Sequence, residues 1–371
     1  MPLRTLSGKH ADARKGRGAG VNPEGRFEQI DREAFDDGWQ SSIADEPRAL
    51  KTVITDERAK SIISRNDSPD IPFTQSINPY QGCEHGCIYC YARPSHAYRN
   101  LSPGIDFETR IFAKTNAAEL LRRELSKPGY KCELIALGAN TDPYQPAERS
   151  RGITRGILSV CAEFNQPVGI VTKNALVELD IDILAPMAKK GLAEVFVSVT
   201  TLDHELARRM EPRCTAPLRR LQAVRALAEA GIPAGVMVAP VVPFLNDHEI
   251  EAIVEAAAAH GAQRAAYILM RLPYEVKTLF RDWLERPDPL KAAHVMSRVQ
   301  ALRGGRDNDP EFGSRMRGAG EFAALLKQRF NVACKKAGLN QARRGEGDID
   351  GKKRDTTQFR VPGVAKQGSL F

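Results

Sequence analysis

The chain has 371 residues, 42% hydrophobic and 27% charged, which is enough for a sizeable core. No apolar run approaches the roughly 20 residues of a membrane span, and no apolar segment follows the basic amino terminus as in a secretory signal. Seven cysteines, three of them within eight positions, do not make a disulfide framework, so the cytoplasm is the expected location. The formal charge of +8 sits mostly at the ends: six Lys/Arg against three Asp/Glu in residues 1–28, and seven against four in 343–371. Basic tails hold phosphate backbones electrostatically, or they are simply solvated.

Residues 1–50 show little periodicity and read as a mobile arm, with Phe27 a possible anchor on the body. Regular structure is expected from Ile71, where "IPFTQSI" is a strand candidate running into a cysteine-rich loop. Helices and strands then alternate. Helices are expected at 117–125, 151–164, 180–191, 217–231 and 247–261, with strands at 133–138, 167–172, 194–201, 234–241 and 265–270. In 217–231, Leu218, Leu221, Val224 and Ala228 recur at helical spacing between Pro217 and Gly231, and Asp247 is a candidate cap for the next helix. Six short apolar strands among five amphipathic helices predict an α/β fold with a parallel sheet, either an open or partial barrel or a doubly wound sheet. Both place ligands at the carboxyl ends of the strands. The polar loops obey that rule: the cysteine loop, "GANTDPYQPAE", "KN", "TTLDHE", "PVVPFLND" and "RLPYE" follow successive strands. A helical extension over 281–342, with "RGGRD" and "SRMRG", and a basic tail over 343–371 complete the chain.

The loop "NPYQGCEHGCIYCYARP" carries Cys83, Cys87 and Cys90 in a C-x3-C-x2-C spacing, with Gly82 and Gly86 permitting tight turns. Three thiolates can wrap an iron–sulfur cluster and leave one iron open. The alternative is a structural zinc site with His85 or His96 as fourth ligand, although zinc usually draws paired ligands from two segments. Cys132, Cys161, Cys214 and Cys334 are dispersed and mostly read as small core residues.

With Tyr89 before the last cysteine, the loop resembles the radical SAM signature C-x3-C-x-Φ-C. Together with "DPYQPAE", "EPRC" and "FGSRMRGAGEFAALLKQRF" it resembles the branch that includes spore photoproduct lyase, over residues 75–335. The resemblance implies a partial (β/α)6 barrel over residues 71–280, with mobile N- and C-terminal extensions. It also implies a [4Fe-4S] cluster held by Cys83, Cys87 and Cys90, S-adenosyl-L-methionine bound at the open iron, and an external electron donor. Reductive cleavage of that cofactor to a 5′-deoxyadenosyl radical then abstracts hydrogen from a substrate in lyase-like chemistry.

Carried over residue by residue, the resemblance sets Tyr89 over the adenine and Thr141 and Asp142 against the methionyl amino group, in place of the usual Gly-Gly-Glu. Lys173 and Ser198 are then candidates for the carboxylate and ribose, with Arg213 a second candidate for the carboxylate. Each has an ordinary alternative: Asp142 before Pro143 forms a turn, Lys173 and Asn174 end a strand, and Arg213 pairs with Glu211 or Glu205. Spore photoproduct lyase uses a cysteine near the end of strand two as hydrogen donor, and Ala139 stands there in this chain. Photoproduct repair itself is therefore not expected; a related reaction, with nucleic acid as one candidate substrate, remains. The terminal "QGSLF", Gln367 to Phe371, resembles a sliding-clamp docking peptide, with Leu370 and Phe371 able to fill an apolar pocket there or on the protein's own body. The rival class is a non-catalytic zinc- or cluster-binding nucleic-acid-binding protein.

Overall fold

The computed structural model describes residues 16–27, 50–287, 289–341 and 356–363. Seven strands make its central sheet: β2 (Ile63–Arg65), β3 (Gln75–Ile77), β6 (Ile135–Leu137), β7 (Val168–Thr172), β8 (Ala193–Ser198), β9 (Ala234–Val241) and β10 (Arg264–Leu269). Their order across the sheet is β10-β9-β8-β7-β6-β3-β2. From β3 to β10 every neighbouring pair is parallel, and β2 adds an antiparallel edge. The six parallel strands follow chain order without reversal, so right-handed crossovers put every helix on one face. Among the described residues β10 pairs only with β9, which leaves the sheet open as a partial barrel and removes the doubly wound alternative.

Strand alternation shows what each face does. Ile135, Leu137, Val168, Ile170, Val195, Val197, Val236 and Val238 are fully buried beneath the helices. Each such side chain contributes about 1.5–3 kcal/mol. Gly169, Val171, Phe196, Met237 and Ala266 face the other way and are only half-buried, lining an open interior. Gly235 belongs to this face because a Cβ there would meet the Phe196 ring at 2.5 Å.

The covering helices are α2 (Ala117–Leu125), α4 (Ile153–Phe164), α5 (Ile181–Lys189), α7 (Pro217–Glu229) and α8 (Ile250–Ala259). In α7 the buried stripe is Leu221, Val224 and Leu227, while Leu218 is exposed at the first turn. Asp247 does not cap α8: its carboxylate accepts from the Phe244 amide, and a 3-10 turn (Asp247–Glu249) precedes the helix.

Regular structure begins earlier than Ile71. β1 (Val53–Glu57), β5 (Arg110–Lys114) and β4 (Tyr80–Gln81) form a second small sheet that carries the cysteine loop. Short helices α1 (Ile105–Thr109), α3 (Glu148–Arg151) and α6 (His204–Met210) sit in loops. Beyond the barrel lie α9 (Val276–Glu285), α10 (Pro289–Ala301) and α11 (Glu321–Lys336). α9 runs across the expected boundary at 280, because Leu279, Phe280, Trp283 and Leu284 bury one continuous stripe. Within the expected arm, residues 16–20 are part of the body, and Phe27 lies 5.3 Å from Tyr98, ring to ring. Within the expected tail, Phe359 packs on Tyr130 and Phe164. The Gln367 to Phe371 peptide lies outside the described residues. None of the described helices is long and apolar enough to cross a membrane.

Candidate radical cofactor site

The cysteine loop leaves β4 at the carboxyl rim of the sheet and turns at Gly82 and Gly86, whose φ angles are +81° and +68°. Side chains would be excluded there on space as well: a Cβ on Gly86 would meet Glu108 at 2.8 Å. Inside the loop the fully buried Arg93 uses all five guanidinium donors. Its Nε donates to the Cys87 carbonyl at 2.9 Å and Nη1 to the carbonyls of Pro103 and Gly104. Nη2 reaches the Gly86 carbonyl and Glu108 Oε1, the latter at 2.6 Å. Glu108 in turn accepts from the amides of Gly18 and Ala19. Arg17 donates to the Glu108 carbonyl, the Leu50 carbonyl and Thr52. Residues 17–20 therefore strap the outside of the loop.

The "DPYQPAE" stretch braces the loop from the other side. Asp142 Oδ1 accepts from the Tyr144 amide and Thr172 Oγ1, and Oδ2 accepts from the Lys173 amide at 2.7 Å. His85 Nδ1 lies 3.3 Å from Oδ2, completing four partners on four lone-pair positions. Burial opposes the charged form of both groups, but their mutual attraction wins, holding Asp142 below the usual carboxylate range and His85 well above the usual imidazole range. Thr141 Oγ1 is buried and donates to the Tyr80 carbonyl at 2.7 Å. Both expected receivers of a methionyl amino group also brace the loop: Asp142 meets four partners from the protein, whereas Thr141 donates its hydroxyl proton and keeps its oxygen lone pairs. Gln145 completes the brace by accepting from the Glu84 amide and donating to the Gly82 carbonyl.

Tyr89 is buried, and its hydroxyl donates to Glu211 Oε1, which also accepts from Thr200 at 2.6 Å; Arg220 closes the other oxygen. Burial works against a charged Glu211, but Arg220 and Lys173 pull its carboxyl below the usual range. Lys173 leaves β7 into the interior with Nζ 5.9 Å from the Tyr89 ring, and among the described residues it makes no ion pair. Burial lowers its pKa, but Glu211 together with the Cys87 and Cys214 sulfurs more than offsets this, so the ammonium stays charged. Ser198 ends β8 on the inward face, its carbonyl accepting from Arg220 at 3.0 Å. Arg213 pairs with neither Glu211 nor Glu205; it meets Glu84 at 3.2 Å against the cysteine loop. Lys173 is thus the one expected cationic residue that the structure leaves pointing into the open interior beside the thiols.

Both ring nitrogens of His85 are engaged, with Asp142 and Asn174, and His96 Nε2 faces the Arg110 carbonyl at 3.0 Å. Among the described residues no three His, Cys, Asp or Glu side chains, the loop cysteines included, are grouped as around a single metal ion. A three-thiol loop opening on a half-buried apolar interior with one charged lysine suits a cluster with an open iron. Three residues that the sequence did not single out complete the site. Glu211 anchors Tyr89, and Tyr91 donates its hydroxyl to the Ala139 carbonyl. Cys214, expected in the core, lies with its Sγ 3.7 Å from that of Cys87.

A family model described as the Radical SAM superfamily matches residues 77–257. An uncharacterised protein of Mycobacterium tuberculosis is 38% identical over 234 residues, 62% of this chain and 68% of that protein. An uncharacterised protein of Methanocaldococcus jannaschii is 28% identical over 192 residues, 52% of this chain and 69% of that protein. Among solved structures, a spore photoproduct lyase double mutant with bound AdoMet and dinucleoside spore photoproduct aligns with a TM-score of 0.57 at 15% identity. That alignment covers 78% of this chain and 80% of the other, and at such identity it speaks for the fold.

Proposed function

This chain belongs to the radical SAM superfamily and is an enzyme of that kind, and from this premise we propose that it abstracts hydrogen from a nucleic-acid substrate in a lyase-type reaction. The observation that carries the radical chemistry is the three-cysteine loop at the carboxyl rim of the strands, with Cys83 and Cys87 buried and Cys90 half-buried. Cys83, Cys87 and Cys90 would hold a [4Fe-4S] cluster, which, reduced by an external donor, would supply the electron for reductive cleavage of S-adenosylmethionine. Lys173 supplies the charge for the methionyl carboxylate, Tyr89 is held rigid by Glu211 beside it, and the apolar wall of Val171, Phe196 and Met237 keeps water from the radical.

Support for nucleic acid comes from the rim, where exposed aromatic rings sit with arginines: Tyr91 with Arg271 and Tyr274 with Arg26. Ring faces stack on bases and guanidinium groups meet phosphates. Photoproduct repair itself is not the proposed reaction, because Ala139 carries no thiol at the strand end where the resemblance expects one.

The test is anaerobic reconstitution with iron and sulfide, followed by electron paramagnetic resonance of the reduced protein with and without S-adenosylmethionine. A [4Fe-4S]+ signal that shifts on adding the cofactor, with 5′-deoxyadenosine formed faster in the presence of DNA or RNA, is expected. A signal indifferent to the cofactor would sink the radical reading; turnover indifferent to any nucleic acid would sink the substrate.

A further inference from the structure

Cys87 is buried in the cysteine loop and Cys214 is half-buried in "EPRC", 127 positions further along, yet their Sγ atoms lie 3.7 Å apart. Main-chain hydrogen bonds on both sides of the pair hold the two segments together: the Ile88 amide donates to the Met210 carbonyl at 3.0 Å, and the Arg213 amide to the His85 carbonyl at 3.3 Å. The Arg213–Glu84 ion pair adds a third tie. A disulfide needs sulfurs that close to about 2.05 Å, and these start from van der Waals contact.

We propose that Cys87 and Cys214 are a reversible dithiol–disulfide pair that governs whether the cysteine loop can take up its cluster. In the cluster-free chain, hydrogen peroxide oxidises one thiol of the pair to a sulfenic acid, releasing one water. The sulfur of the other then attacks it and a second water leaves, so two thiols and one peroxide yield one disulfide and two waters. Cys87 is thereby removed from the ligand set, and a three-thiol site with two thiols left cannot hold a cube. A dithiol reductant returns two electrons and two protons and frees both residues. Cluster loading is then tied to the reducing conditions that the enzyme also needs for turnover. The effect on loading rests on the radical SAM reading; the disulfide itself does not.

The experiment treats reduced, cluster-free, full-length protein with one equivalent of peroxide, alkylates the remaining thiols, and maps the unreduced digest by mass spectrometry. The same samples are then offered iron and sulfide, and bound iron is counted. A linked Cys87–Cys214 peptide, loss of iron loading, and its recovery after dithiothreitol are expected. Cys214→Ser, which changes one atom, should load equally with and without peroxide. Alkylated Cys214 after oxidation, or equal loss of loading in Cys214→Ser, would overturn the proposal. Because the peptide map needs no cluster, it still decides the disulfide if the radical reading itself fails.

Discussion

Lys173 and Asp142 sit at consecutive strand ends and illustrate opposite fates of a charged residue at the rim. Asp142 is engaged by four partners from the protein, whereas the Lys173 ammonium faces the interior beside the Tyr89 ring, within electrostatic reach of Glu211 and Cys87 but without an ion pair among the described residues. Hydrogen bonds to charged groups contribute about 1.5–3 kcal/mol, so Lys173→Met should weaken S-adenosylmethionine binding by about 10- to 100-fold in calorimetry of the reconstituted protein, with iron content unchanged. Unaltered affinity would remove Lys173 from the cofactor site. His96 yields a pH prediction. Burial drives its pKa down to about 4, so the folded state holds it neutral while the unfolded chain titrates near 6.5. The unfolded state binds more protons in that window, and stability should fall as pH drops below about 6.5, by up to about 1.4 kcal/mol per unit, with the loss complete near 4. Melting temperatures from pH 7 to 5 should decline less steeply for His96→Gln than for the native chain; equal slopes would refute the assignment. The three cysteines were legible because their spacing is local. Cys214, Glu211 and Glu108 were not, because only folding brings them to the loop from "EPRC" and from α1.

The parallel strands were legible as elements for a physical reason. Each is a short apolar run, covered by helices on one face and lining the interior on the other, and such runs stand out between amphipathic segments. β1 and β2 escape that signal because "VITDE" and "ISR" are short, mostly exposed edge strands whose pairing depends on partners far along the chain. The strap over residues 17–20 also escaped, since "RGAG" has no periodicity and its meaning lies in close approach. A Cβ on Gly18 would stand 1.9 Å from the Gly86 carbonyl oxygen, inside the loop that carries Cys83 and Cys87. The backbone must move, and with it the Gly18 and Ala19 amides that satisfy the buried Glu108. Gly18→Ala should therefore lower iron and sulfide retained after reconstitution, read as absorbance near 400 nm, while far-ultraviolet circular dichroism of the barrel persists. Full retention of the cluster would show that the strap is dispensable to the loop.

At the scale of the whole molecule, the excess charge and the proposed substrate meet in the carboxyl-terminal segment. Residues 343–371 carry seven Lys/Arg against four Asp/Glu, but the segment is not uniform. The Arg360 amide donates to the Phe164 carbonyl and Asn165 donates to the Gln358 carbonyl, while the Phe359 ring packs at a tilt against Tyr130. Deleting the whole segment would strip that docked patch from α4 and confuse lost binding with lost stability. Neutralising Arg343, Arg344, Lys352, Lys353 and Arg354 to glutamine keeps the patch intact and changes only charge. If these five hold phosphates, affinity for duplex DNA should fall uniformly across sequences, and the slope of log affinity against log salt should flatten by about 0.9 for each phosphate left without its cation. Fluorescence anisotropy between low and physiological salt reads both quantities. An unchanged slope with nucleic-acid binding retained would move the phosphate-binding role to the arginine and aromatic pairs at the barrel rim, where Arg271→Gln should then flatten it instead.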